Sequence, residues 1–443
     1  MIERYTRKPM GELWEELKKK TYWHNVEVAI LMARTRRENI PAIVYKNAQR
    51  IVITSEILQR ADELEALGDH DMIAFILAVS ELLDESTKIY YHTGVTSFDI
   101  EDTALAMLLV EAMDILIEQV KRLRTVVFHR ALEHKHTIMI GRTHFIHAEP
   151  ITFGLKLINW VDVLDRHLAR MRSAREEIRV GKISGAVGKY SLNPEIERIA
   201  CKLLGLKPAK ISNQVISRDL LVRYISCLVG VSNSLDRFAT EIRHLAGTDL
   251  SEVAEYKKDT AKGSSAMPGK SFLRNPIKSE NTCGLAKAMR GYLVMANEDE
   301  NLWCERSLDN SALERIFIPD STTLLDFMLD RFSTVMEKLE VFPEQMNRNL
   351  WKTGGIVFAQ QLMIALTKKA MPRDIAYDLL EGLAKSVQRG IFVNAKDESF
   401  RDLVKSHPEI SNLLSTTEIE ECFNPEMNLK YVDEIFERFN KVA

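Results

Sequence analysis

Two stretches of this chain hold residue types able to move protons, and both sit where helical patterns break. The first is Gly141-Arg142-Thr143-His144-Phe145-Ile146-His147-Ala148-Glu149-Pro150, a turn-flanked junction between two long helical patterns, ended by Pro150. Histidine titrates near neutral pH, so His144 aimed into a cleft from such a junction can protonate a leaving group; a solvated loop histidine is the plainer reading. His134, His136, His144 and His147 also form a cluster with ligand-like spacing. No cysteine or close acid completes a zinc set, so no metal is assigned, and His134 and His136 read as the polar end of a helix. The second stretch, residues 263–281, carries Ser264, Ser265, Lys270, Asn275 and Glu280 among Gly263, Pro268, Gly269 and Pro276. Proline removes a backbone donor and glycine costs helix entropy, so this is a loop, and polar loops inside helical proteins are where chemistry tends to be placed.

Three further junctions hold polar groups. Tyr91-His92-Thr93-Gly94-Val95-Thr96-Ser97-Phe98-Asp99 precedes a long helical run. Thr96, Ser97 and Asp99 are good helix-capping residues there, and hydroxyls with free N–H groups at a helix start also suit a carboxylate. Gly68-Asp69-His70-Asp71 reads first as a helix start. Residues 305–315 hold Arg306, Ser311 and Arg315. Their plain reading is a solvated helix face; their functional one is a phosphate held by charge-assisted hydrogen bonds, with Arg4 and Tyr5 able to add to it. No P-loop or GxGxxG is present, so neither ATP nor a dinucleotide is suggested.

The elements positioning these residues read as helices. From Asp102 to Ile140 there is neither glycine nor proline, and Leu105, Leu108, Leu109, Ala112, Leu116, Val120, Leu123 and Val127 mark one stripe. About thirty such residues make a rod roughly 45 Å long. Similar patterns cover 155–180, 218–246, 279–300 and 320–350, which implies a helical bundle. The stripe fits burial inside one chain, or packing of bundles from several copies. Shorter helices are expected over 1–93 and 351–443 on either side of a central bundle, 94–350, that carries loop 262–281. A length of 443 residues calls for two or three domains. A net charge of -3 argues against a general nucleic-acid or membrane-surface binder, and no run of 18 apolar residues occurs. Five scattered cysteines, with no signal-peptide pattern, point to a cytoplasmic protein with reduced thiols.

The order and spacing of these motifs resemble the adenylosuccinate lyases of the fumarase/aspartase superfamily from end to end. The resemblance runs through Met1-Ile-Glu-Arg-Tyr, Gly141-Arg-Thr-His, Val180-Gly-Lys-Ile-Ser-Gly-Ala-Val-Gly, Lys262-Gly-Ser-Ser-Ala-Met-Pro and Val341-Phe-Pro-Glu. It implies an all-α, three-domain fold and a homotetramer whose active sites are shared between subunits. It also implies a cofactor-free β-elimination that releases fumarate from an N-succinyl nucleotide, by default adenylosuccinate, in purine biosynthesis. Carried onto this sequence, Ser264 is the general base and His144 the general acid, oriented by Glu280. Lys270 and Asn275 stabilise the developing charge, while Thr96, Ser97 and Thr143 hold the succinyl carboxylates. Gln214 contacts the substrate, His70 and His92 are further active-site histidines, and Arg4, Tyr5, Arg306, Ser311 and Arg315 hold the phosphate.

Several positions depart from the family pattern. Ser271-Phe272-Leu273 is inserted between Lys270 and Arg274-Asn275-Pro276, Gly269 replaces a usual histidine, and Asp69 stands where arginine is usual. Thr93 replaces a tyrosine, Phe98 a small polar residue and Phe145 a glycine. Their concentration in site motifs suggests either altered substrate choice or a weakened enzyme; adenylosuccinate stays the default substrate, release of a different amine is the alternative, and a helical scaffold that has lost the reaction is the non-enzymatic one.

Overall fold

The computed structural model describes residues 1–68, 70–257, 266, 267, 269 and 274–439, and nearly all of their regular structure is helical. Seven helices concern the site: α1 (Glu16–Glu38), α2 (Asp71–Ser80), α3 (Ser97–Glu133), α4 (Phe153–Ile178), α5 (Asp219–Leu245), α6 (Ile277–Glu298) and α7 (Asp309–Glu337). The chain divides into two compact units. The first comprises Met1–Leu123, Leu164–Arg237 and Thr282–Arg331, and the second Arg124–Val163, Phe238–Asn281 and Phe332–Ala443.

The stripe on α3 is buried in a single chain: Leu108, Leu109, Ala112, Leu116, Val120 and Leu123 are each at most 3% exposed. It therefore does not by itself call for a second copy. The start of α3 is fixed by Asp99, whose Oδ2 accepts from the Thr96 N–H at 2.8 Å, the acidic arm of a capping box. Its Oδ1 accepts from Lys182 Nζ at 2.5 Å, Ser184 N at 3.0 Å and Gly185 N at 3.1 Å. Both side chains are wholly buried. Thr103, one turn further along α3, bonds the Lys182 backbone in both directions. The Val180-Gly-Lys-Ile-Ser-Gly motif thus serves as the anchor of this helix.

Three expectations need correction. The stretch free of glycine and proline runs to Ile140, but its helix ends at Glu133 and an antiparallel hairpin follows, β1 (Ile138–Thr143) and β2 (Ile146–Thr152). β-Branched residues at Thr137, Ile138, Ile151 and Thr152 favour strands, and Pro150 lies within β2 rather than ending a junction. His134 is not on a polar helix end; it is buried just past α3 with its ring edge-on to Phe153. The pattern over 320–350 is two helices, α7 and Pro343–Trp351. Pro343 lacks an N–H and holds Phe342 out of the α region, and Glu340–Val341 pairs with Val253–Ala254 in the gap.

Asp99→Ala strands the Lys182 ammonium in the core and should cost about 3–5 kcal/mol in urea unfolding, whereas Asp99→Asn, which keeps an acceptor, should cost less. Equal losses would show that the charge pair does not anchor the helix.

Candidate active site

In the first unit, α1 supports the turn that precedes α3. His92 lies in the left-handed region (φ 54°), with Nδ1 2.6 Å from Oε1 of the buried Glu27 and its backbone N–H 3.3 Å from Glu27 Oε2. One turn earlier on α1, His24 Nε2 meets the Ala48 carbonyl at 3.0 Å. A carbonyl only accepts, so Nε2 carries the proton and Nδ1 accepts from the Tyr91 hydroxyl at 3.0 Å. Burial pushes the His24 pKa down, which keeps it neutral. Arg34 donates to the Tyr90 and Thr93 carbonyls. His92, Thr96 and Ser97 are consequently held on a braced turn, all half-buried.

His70 caps α2 by accepting from the Ile73 N–H at 3.4 Å, in keeping with its helix-start reading. Asp71 beside it bonds Arg315 at 2.8 Å, so the structure brings this segment to the expected phosphate residues. Arg306 stacks on Phe98, its guanidinium carbon 3.3 Å from the ring centroid, and donates to Gln214 Oε1 at 3.3 Å. Phe98, a departure from the family pattern, thereby becomes the platform for Arg306. The Arg306 Nη2 is buried without a partner, a donor that a phosphate oxygen would satisfy. Arg4 lies on an exposed N-terminal turn, Glu3–Tyr5, fastened by the terminal ammonium on Asp320 at 2.5 Å and by Tyr5 edge-on to Phe327.

The 305–315 segment is not simply a solvated face. Asn310 and Glu314 are buried, and Arg218 bridges Glu314 (2.7 Å) to Asp102 (2.8 Å). Burial pushes the neighbouring Asp299 carboxyl up to about 8, with Glu314 adding to the shift. Ser311 and Arg315 line a cavity of about 220 Å³, but Glu16, Glu101, Asp102 and Glu314 share its wall. Burial, then the charge of Asp71, pushes Glu101 up to about 7. Lys19 and Arg315 share that wall, and Arg218 neutralises Asp102 and Glu314, so the cavity carries charge of both signs; the Arg306–Gln214 pair is a second candidate anion holder.

In the second unit, the hairpin presents His144. Thr143 pairs with Ile146, leaving His144 and Phe145 as a two-residue turn with φ of 54° and 65°. Both φ values are positive, as in a type I′ turn, where glycine or asparagine is usual and a phenylalanine is strained. His144 is exposed at the tip, and the Phe145 ring leans edge-on against His244. The register slips at Gly141, where a Cβ would come within 2.9 Å of the Glu149 carbonyl oxygen. Arg142 grips the buried Glu252 with two bonds of 3.0 and 2.6 Å, and Asn349 donates to the same carboxylate. Glu255 caps α6 by accepting from the Lys278 and Ser279 N–H groups at 3.1 and 2.7 Å, which sets Asn275 and Glu280 at that helix start. Among the described residues no hydrogen bond or ion pair joins His144 to Glu280, and no group of three or more His, Cys, Asp or Glu is placed to hold a metal. Ser264, Lys270, Asp69 and the insertion 271–273 lie outside the described residues.

Residues 10–291 match the family described as Lyase, and residues 355–439 match that described as Adenylosuccinate lyase C-terminus. Proteins named adenylosuccinate lyase from Synechocystis sp. and Bacillus subtilis are 41% and 42% identical to the chain; the matches cover 99% of it and 100% and 99% of those proteins. The chain belongs to the adenylosuccinate lyase family. A fumarate lyase from Mesorhizobium sp. superposes with a TM-score of 0.87 at 23% identity, covering 100% of both chains. A 3-carboxy-cis,cis-muconate lactonizing enzyme from Pseudomonas putida gives 0.84 at 25% identity, covering 98% of this chain and 96% of its own. The all-α superfamily fold and the carbon–nitrogen lyase class expected from the sequence are therefore those of this adenylosuccinate lyase family member.

Sequence reading missed Glu27, Asp71, Arg218, Glu252 and Glu255. Only Asp71, adjacent to His70, had a local signal; the others act on partners distant in sequence.

Two outcomes follow from this geometry. An unfolded aspartate releases its proton near 3.8 whereas Asp299 keeps its proton up to about 8, so this group's contribution to stability declines as pH rises from about 4 to 8. Asp299→Asn should flatten that decline, as read from urea midpoints at pH 5 and 8; an unchanged slope would assign it elsewhere. Phe145→Gly should stabilise by about 1 kcal/mol, because left-handed strain of about 1–2 kcal/mol exceeds the lost ring contact. A lower urea midpoint would show that the contact with His244 outweighs the strain.

Proposed function

We propose that this enzyme cleaves the C–N bond of adenylosuccinate by β-elimination, releasing fumarate and AMP in purine biosynthesis. The observation that carries the reading is identity of 41–42% along essentially the whole chain to proteins named adenylosuccinate lyase. The Arg306–Gln214 pair with its unpartnered donor supports a phosphorylated substrate. Ser264 Oγ removes the Cβ proton of the succinyl group, and the electron pair passes into the adjacent carboxylate, where Lys270 and Asn275 stabilise it. The Cβ–Cα double bond then forms as the C–N bond breaks, and His144 gives its proton to the departing nitrogen. Thr96, Ser97 and Thr143 hold the carboxylates. An imidazole at the tip of a two-residue turn, clear of its own strands, supports that last step.

The functional set is divided between the units. The first holds His70, His92, Thr96, Ser97, Gln214, Arg306, Ser311 and Arg315, and the second holds Thr143, His144, Asn275 and Glu280. The end-to-end resemblance to adenylosuccinate lyases is what supports a homotetramer whose sites are completed by neighbouring subunits. A cytoplasmic location is supported by five cysteines without a disulfide, while no described helix is long and apolar enough to cross a membrane.

Phe98 and the strained Phe145 favour a second reading, in which the same elimination releases a different amine. Fumarate formation measured side by side from adenylosuccinate and from its imidazole-carboxamide counterpart decides between them. Ser264→Ala and His144→Ala should each lower turnover by at least about 10²-fold, and mixing the two inactive proteins should restore part of it. Full turnover in Ser264→Ala would assign the base elsewhere, and no recovery on mixing would reject shared sites.

A further inference from the structure

The Thr353-Gly354-Gly355 break has no part in the proposed reaction, yet it helps to build a second cavity. Gly354 and Gly355 have φ of 65° and 88°, and a Cβ on Gly354 would lie 2.4 Å from the Glu398 carbonyl oxygen. Only glycine turns the chain there, directly after the helix Pro343–Trp351, and the turn delivers Lys352 and Thr353 to a cavity of about 680 Å³ in the second unit. The helix Arg373–Phe392 contributes Lys385, Gln388, Arg389 and Phe392, an i, i+3, i+4, i+7 stripe. Phe145, Ile146 and His147 of the hairpin supply another wall.

Charge and surface identify what such a cavity takes. It is lined by four cationic side chains and one acid, Asp249. Glu252 neutralises Arg142 and Glu381 lies 2.8 Å from Lys385, whereas Lys352 and Arg389 have no acidic partner among the described residues. Thr353 Oγ1 and His147 Nδ1 are buried polar atoms without a hydrogen-bond partner. Burial, then Arg142, pushes the His147 pKa down, so the ring stays neutral. Beside these groups, Phe145, Ile146, Phe392 and Val393 all expose apolar surface. Spare cations next to ring and aliphatic surface suit an organic phosphate that carries a flat ring, and the volume is within the roughly 300–1,000 Å³ of small-molecule sites.

We propose that this cavity binds a mononucleotide through residues the elimination does not use. Lys352 and Arg389 take the phosphate, Phe392 packs against the ring and the Gln388 amide meets the ring's polar edge. The choice of nucleotide rests on the proposed reaction, whose product is AMP; the anionic, ring-bearing character rests on the cavity alone. Because Phe145 is the residue after His144, an occupant would touch the turn that carries the acid.

Equilibrium dialysis of AMP against the full-length protein tests this. The wild type should bind AMP in two classes of site. Arg306→Ala should weaken one class, and Arg389→Glu or Lys352→Glu should weaken the other at least tenfold, the loss expected for one charge-assisted phosphate contact. Both charge reversals are at exposed side chains, and unchanged circular dichroism would exclude misfolding. A single class in the wild type, as when a neighbouring subunit covers the cavity, overturns the proposal. Two classes that neither charge reversal weakens also overturn it. A protein with the Arg389-dependent class that releases no fumarate would reject the proposed reaction while leaving this site in place; fumarate release without that class would do the reverse.

Discussion

One buried carboxylate sets the geometry on which the first unit depends. Asp99 takes four hydrogen bonds, from Thr96, Lys182, Ser184 and Gly185, at a point wholly removed from water. An isolated charge at such depth would be very costly, and it is tolerated because Lys182 neutralises it and backbone N–H groups fill its remaining lone pairs. The consequence is positional. The first turn of a 37-residue helix cannot fray without breaking that set, so Thr96 and Ser97 are presented by a rigid element rather than by a mobile loop.

The second unit solves a different positioning problem by different means. His144, the proposed proton donor, stands clear of its surroundings yet keeps a fixed direction. The hairpin achieves both, since a two-residue turn leaves little freedom at its tip and Arg142, locked on Glu252, holds the strand that leads to it. The bulge at Gly141 re-aims β1 just before the turn. Left-handed geometry at His144 and Phe145 is the cost of that presentation. Where a two-residue turn of this kind favours glycine, this chain accepts strain and gains a ring packed on His244 and facing the second cavity.

The two cavities differ in their charge balance. Beneath residues 305–315, Arg218 serves Asp102 and Glu314 together, and Asp299 keeps its proton because burial beside Glu314 leaves no room for another negative charge. Lys19 and Arg315 share the wall of the smaller cavity with these acids, so its charge is mixed. Arg306, raised on Phe98, lies outside its lining and keeps an unused donor. The larger cavity has the opposite balance, with its cations outnumbering its one acid.

Local chemistry was readable from the sequence alone. The 3-to-4 spacing of Leu108 through Leu123 fixed the long helix and its buried face, and Thr96 to Asp99 marked a helix start. Motif order sufficed to identify the family and with it the candidate acid and base. What the sequence could not specify is what joins distant positions. Asp99 and Lys182 are 83 residues apart, Arg142 and Glu252 110, and Asp102 and Arg218 116, and no periodicity pairs them. The hairpin over 138–152 escaped for a related reason: each of its strands is short, and a strand is stabilised by its partner's hydrogen bonds rather than by its own residues. A helix satisfies its backbone locally and so can be read from spacing; buried charges, strand pairs and cavities acquire their partners only when the chain has folded.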